Sequence, residues 1–147
     1  MNQASIMEAY QKVKSLDFSD IRFKLANKEH GASWSASKIR KAELLYFAYI
    51  SIIIAFRNKN IAIAIAPPKL ADDYWHQHIL DTRKYFSDCN YLFGEYFHHF
   101  PYFGLRGEED ANNLAQASST MNLFLMKFFS NLPEYSKLIK NYTSPRS

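Results

Sequence analysis

Residues 44–56 form an apolar run of 13 positions, from Leu44 to Phe56, broken in character only by Ser51. A membrane-spanning helix needs about 20 such residues, and Arg57, Asn58, Lys59 and Asn60 end this one abruptly. The run therefore predicts a buried helix over 38–57, around which the rest of the chain must assemble. At 147 residues and 48% hydrophobic content, with 12 Phe and 10 Tyr but only 4 Gly and 5 Pro, the chain fits one core-forming domain. Disordered, collagen-like and glycine-rich architectures are excluded by the same figures.

The other elements read as helices too. Residues 5–14 and about 18–29 suggest a helical hairpin, the second helix carrying Phe18, Ile21 and Leu25 at helical spacing before Gly31. Ser33 and Ser35 beside Trp34 mark the start of the central helix. Ile61-Ala-Ile-Ala-Ile-Ala66 alternates like a strand, yet no second strand exists to pair with it, so it is expected as an extended connector. Pro67 and Pro68 suit a helix start, and one long helix is expected from about Pro68 to His99, with Gly94 as a possible kink and Phe100-Pro101 as its stop. Glu108, Glu109 and Asp110 open a further helix whose core face is Leu114, Ala117, Met121, Phe124, Leu125 and Phe128. Pro133 opens a short last helix, and the tail 143–147 is expected to fray. The expected fold is thus a single all-α domain of about five or six helices, with its core over about residues 5–140.

Charge is unevenly placed. The formal net charge is +4, but residues 72–110 hold 3 basic and 8 acidic side chains, whereas residues 1–71 hold 11 and 5. Basic residues are scattered, with Lys38, Arg40 and Lys41 the densest group, so nothing resembles a nucleic-acid groove. Met1 to Lys14 has neither the apolar stretch nor the cleavage site of a signal peptide. Cys89 is the single cysteine, which rules out an internal disulfide or a cysteine-based zinc site and points to a reducing, cytoplasmic setting.

Four of the five histidines, His76, His78, His98 and His99, and 11 of the 24 aromatic residues fall between positions 74 and 103. On an ideal helix Asp81, Tyr85, Asp88, Cys89 and Leu92 lie within about 80° of His78. Trp75, Ile79, Phe86 and Phe93 form an adjoining apolar stripe, expected to lie on the central helix. Imidazoles and carboxylates converging from neighbouring turns are what a hard or borderline divalent cation requires. His78, Asp81, Asp88, His98 and His99 are accordingly candidate ligands, with Glu95 spaced three and four residues before the last two. His76 lies about 160° from His78, which argues against chelation of one ion by both.

Two other readings stay open. His78 beside an Asp could be a satisfied core pair that holds helices in register, or His78 or His98 could act as a metal-free acid or base. Cys89 reads more readily as a small buried hydrophobe than as a nucleophile. No glycine-rich phosphate loop, Gly-x-Ser-x-Gly or His-Glu-x-x-His motif is present, so no nucleotide cofactor is expected.

The sequence Asp72-Asp73-Tyr74-Trp75-His76-Gln77-His78, followed by Tyr85, Asp88-Cys89 and His98-His99-Phe100-Pro101-Tyr102, resembles the glycine-rich domain-containing protein-like family. Weaker similarity extends over about residues 5–130. The glycine-rich tail of larger relatives is absent, and Pro68 stands where a helix-capping Ser or Thr would be usual. The resemblance implies a set of motif residues, Asp72, Trp75, His76, His78, Tyr85, Asp88, His98 and His99, and no particular reaction. The leading expectation is a zinc- or iron-class metal-binding protein with Tyr85 and Cys89 behind the ligands. The alternative is an interaction module, with a protein partner or a second copy of the chain docking on Tyr96 to Phe103.

Overall fold

The computed structural model of the chain describes residues 1–143, with side chains described through Asn141. Seven helices and no strand are found among them: α1 (Gln3–Lys14), α2 (Ser19–Ala26), α3 (Ala36–Asn58), α4 (Lys69–Leu80), α5 (Thr82–Phe93), α6 (Glu108–Phe129) and α7 (Pro133–Thr143). The protein is all-α, with one more helix than the upper expected number. Of the expected frayed tail, Thr143 closes α7 and residues 144–147 lie outside the described residues.

The apolar run is the middle of α3, and every residue from Ala42 to Phe56 is buried. Ser35 caps this helix by accepting from the Lys38 amide at 3.2 Å, and Ser51 resolves its own burial by donating to the Phe47 carbonyl at 2.6 Å. Around α3, α1 contributes Ile6, Ala9, Tyr10 and Val13, a face repeating at three and four. Tyr135 of α7 donates to the Leu44 carbonyl at 2.6 Å. The second helix is shorter than expected because the Asn27 side chain accepts from the amides of Glu29 and His30, offering the backbone a turn in place of a helix. Residues 61–66 are neither helix nor strand and pair into no sheet, a connector as their alternation without a partner implied; Ala66 instead donates to the Ala117 carbonyl of α6 at 3.3 Å.

The single long helix expected over 68–99 is two helices and a loop. The chain leaves helical geometry at Asp81 (φ −82°, ψ 75°), and α5 ends at Gly94, whose φ of 72° is a left-handed conformation that glycine adopts without penalty. Residues 95–99 are not helical. The reason for the break lies in axial distance. In a continuous helix, residues ten apart are separated by about 15 Å along the axis, yet His78 and Asp88 are hydrogen-bonded at 2.7 Å and Trp75 and Tyr85 at 2.9 Å. Folding α5 back on α4 gains both buried bonds at the cost of one turn at Asp81, a residue of low helix propensity. The same break turns Phe86 away from the core, so that it is exposed instead of joining the apolar stripe of Trp75, Ile79 and Phe93.

A candidate metal centre on an aromatic scaffold

The histidines and carboxylates of residues 72–99 separate into an inner and an outer group. The inner group surrounds His78, which is 1% exposed. Its Nε2 lies 2.7 Å from Asp88 Oδ2 and its Nδ1 2.7 Å from the Tyr46 hydroxyl. Lys84 Nζ reaches the same Asp88 oxygen at 2.9 Å. Burial lowers the His78 pKa from its ordinary value of 6.5 and outweighs the raising pull of Asp88. For Asp88, burial acts upward, but hydrogen bonds from His78 and Lys84 prevail and hold the carboxyl below 3.8. The pair is therefore a neutral imidazole donating its Nε2–H to a carboxylate, with the Tyr46 hydroxyl donating to Nδ1. Both ring nitrogens are used within the protein.

These shifts set the acid sensitivity of the fold. Between the folded and unfolded pKa values of His78, only the unfolded chain takes up the proton, so stability falls as pH drops below about 6.5. Asp88, whose pKa is depressed, contributes stability above about 3.8 that is lost as pH falls through its folded value. The melting temperature should thus decline from pH 7 to pH 5, and His78→Gln, which retains a donor for Asp88 but cannot titrate, should flatten that decline. A slope unchanged in the variant would assign the acid sensitivity to other groups.

Trp75 and Tyr85 complete the inner group. The Trp75 indole N–H donates to the Tyr85 hydroxyl at 2.9 Å, and that hydroxyl donates to the Phe97 carbonyl. The Trp75 and Phe97 rings stack at 4.9 Å with 10° between planes. Arg57 lies over the rings of Phe93 and Phe97 and pairs with Glu95 at 3.3 Å. The loop after Gly94 is thereby tied to α4 and α3, and the position of His99 follows. The thiol of Cys89 is buried, which pushes its pKa up and suits a packing residue rather than a nucleophile.

The outer group is Asp72, His76 and His99. Asp72 and His76 stand four residues apart on one face of α4, and the loop brings His99 onto them. His99 Nε2 lies 2.7 Å from Asp72 Oδ1, His76 Nε2 3.2 Å from His99 Nε2, and His76 Nε2 3.7 Å from Asp72 Oδ2. Two imidazole nitrogens and a carboxylate thus point at one locus, half open to solvent, with the His99 ring resting on Trp75 at 4.4 Å. Asp72 and His99 also line a cleft of about 430 Å³ walled by Tyr49, Trp75, Phe97, Phe100 and Phe103.

Of the residues the sequence marked as ligands, the structure brings only His99 into this cluster, together with Asp72 and His76 from the motif. His78 and Asp88 belong to the inner pair. His98 is exposed, lies against the Tyr96 ring at 4.8 Å and lines the cleft. Asp81 sits at the junction of α4 and α5, and Glu95 pairs with Arg57 instead of a histidine, because the helical spacing assumed for it ends at Gly94. Sequence reasoning did not find Tyr46 and Lys84 as partners of the inner pair. Lys84 and Asp88 carry a readable signal, opposite charges four apart on α5, whereas Tyr46 is indistinguishable from its apolar neighbours. On the segment Tyr96 to Phe103, Tyr96, Phe100 and Tyr102 are exposed and Phe97 is buried. No helix among the described residues is long and apolar enough to cross a membrane.

No curated protein and no solved structure matches the chain. A match to the UCP032817-like family covers residues 8–120, which include α3, the inner pair and all three residues of the outer cluster; it carries no link to the glycine-rich domain-containing protein-like family. With more than half of its length matched, the chain belongs to the UCP032817-like family.

Proposed function

We propose that this protein binds one divalent cation of the zinc or iron class through Asp72, His76 and His99, and that it does so in the reducing cytosol. The observation that carries the reading is the spacing of the three donor atoms. An ion held by two imidazole nitrogens and a carboxylate oxygen at about 2.0–2.1 Å would set them about 3.3 Å apart at tetrahedral angles. The two imidazole Nε2 atoms stand 3.2 Å apart, close to that value, and each faces its own oxygen of the Asp72 carboxylate, Oδ1 at 2.7 Å from His99 and Oδ2 at 3.7 Å from His76. Two imidazoles and one carboxylate, with no thiolate, are donors suited to zinc or to ferrous iron. Three protein donors leave a coordination position free beside the cleft, where an ion could polarise a ligand oxygen or activate water.

Metal analysis of protein purified without a polyhistidine tag tests the reading. About one equivalent of zinc or iron is expected, absent from His76→Ala/His99→Ala. Added zinc should raise the thermal stability of metal-free protein, by about 2.7 kcal/mol at a hundredfold excess over Kd, and leave the double variant unmoved. A metal-free protein whose melting temperature ignores both zinc and ferrous iron would overturn it.

A further inference from the structure

The cleft beside the cluster has walls that constrain what could occupy the free coordination position. At about 430 Å³ it falls in the lower part of the range that holds small organic ligands, roughly 300–1,000 Å³. Its lining is dominated by rings and aliphatic groups: Tyr49, Trp75, Phe97, Phe100 and Phe103 from one set of elements, Ile65, Pro67 and Leu114 from another. Trp75 and Phe97 are fixed in a parallel stack that Tyr85 holds in register, so the floor of the cleft is preorganised, but both rings are buried and the ring surface open to a ligand is that of Phe100. Phe100 is 53% exposed at the mouth, and covering it with a second ring would remove apolar surface from water.

Charge narrows the choice further. The cleft's charged lining residues are Lys69 and Asp72, and Lys69 is neutralised by Asp73 at 2.6 Å. A divalent ion against the single carboxylate of Asp72 leaves one net positive charge facing the cavity. A monoanion balances that charge; a neutral ring leaves it uncompensated, and a dianion exceeds it with no second cation to receive it.

We infer that the cleft takes an apolar monoanion of the aromatic carboxylate class, its anionic oxygen completing the coordination of the ion and its ring lying against Phe100 at the mouth. This rests on the metal reading above, and cobalt(II) separates the two. Cobalt(II) alone, added to metal-free protein, should give a visible d–d absorption band that His99→Ala abolishes. 2-Naphthoate should then shift the band at a concentration at least about tenfold below that required of acetate, which has the same charged head and no ring. 2-Naphthamide, the same ring system without the charge, should leave the band unmoved. Phe100→Ala, at an exposed site that the core does not need, should raise the half-saturating 2-naphthoate concentration by about fivefold or more while leaving acetate unaffected. No cobalt band would overturn the metal reading and the inference with it. A cobalt band that acetate and 2-naphthoate shift at equal concentrations, or that 2-naphthamide shifts as well as 2-naphthoate does, would overturn the inference alone.

Discussion

His78→Ala should destabilise the protein by about 3–5 kcal/mol, the cost expected when one member of a buried charged or hydrogen-bonded pair is removed and its partners are left behind. The loss has three parts. Asp88 loses the imidazole that holds its carboxyl ionised below the ordinary range, and keeps only Lys84. The Tyr46 hydroxyl, fully buried in α3, loses its acceptor. A cavity opens where the imidazole had packed edge-on against Phe18 at 5.0 Å and Tyr85 at 4.8 Å. Urea denaturation should show a lower midpoint with little change in slope. His76→Ala, at a half-open site, should by contrast stay within about 0.5 kcal/mol of the parent in the absence of metal. If His78→Ala cost less than about 1 kcal/mol, the inner pair would not be what holds α5 against α4.

This contrast explains why a Trp-His-x-His motif can serve two purposes on one helix. Trp75 and His78 face inward and engage Tyr85 and Asp88 across the break at Asp81. His76 faces the opposite way, where Asp72 lies one turn before it. The angular separation of about 160° between His76 and His78, calculable from the sequence, is realised as one exposed and one buried imidazole. The inner residues act on the outer ones through the loop: Tyr85 fixes the Phe97 carbonyl, two residues before His99.

Much of the fold could be read from the chain. The 44–56 run had to be buried wherever it lay, and α6 displays its core face at intervals of three and four, so periodicity alone located both. The unpaired Ile-Ala segment was recognisable as a connector because a strand without a partner cannot satisfy its backbone. The break at Asp81 was hidden. A helical wheel places His78, Tyr85 and Asp88 on one stripe whether or not the helix is continuous, since it records angle and discards rise; the 15 Å or so between His78 and Asp88 on a straight helix is invisible in it. For the same reason the sequence joined His78 to the candidate ligands and Glu95 to His98 and His99. The meeting of His99 with Asp72 and His76 depends on a loop whose course is set by Gly94, Arg57 and Tyr85 together, and contacts over such separations leave no periodic trace.

The second large effect concerns the ion itself. His99→Ala removes one of three proposed donors and should weaken zinc binding by well over a hundredfold, beyond the 10–100-fold that loss of a group merely supporting a ligand causes. His98→Ala, one residue away and exposed, should change it by less than about threefold, since no donor to the ion is lost. Zinc titration by calorimetry of the parent, His98→Ala and His99→Ala proteins, all untagged and metal-free at the start, decides the matter. One equivalent bound by the parent and by His98→Ala, with none detectable in His99→Ala, is the outcome that a site built from Asp72, His76 and His99 predicts; equal binding by all three proteins, or by none, would contradict it.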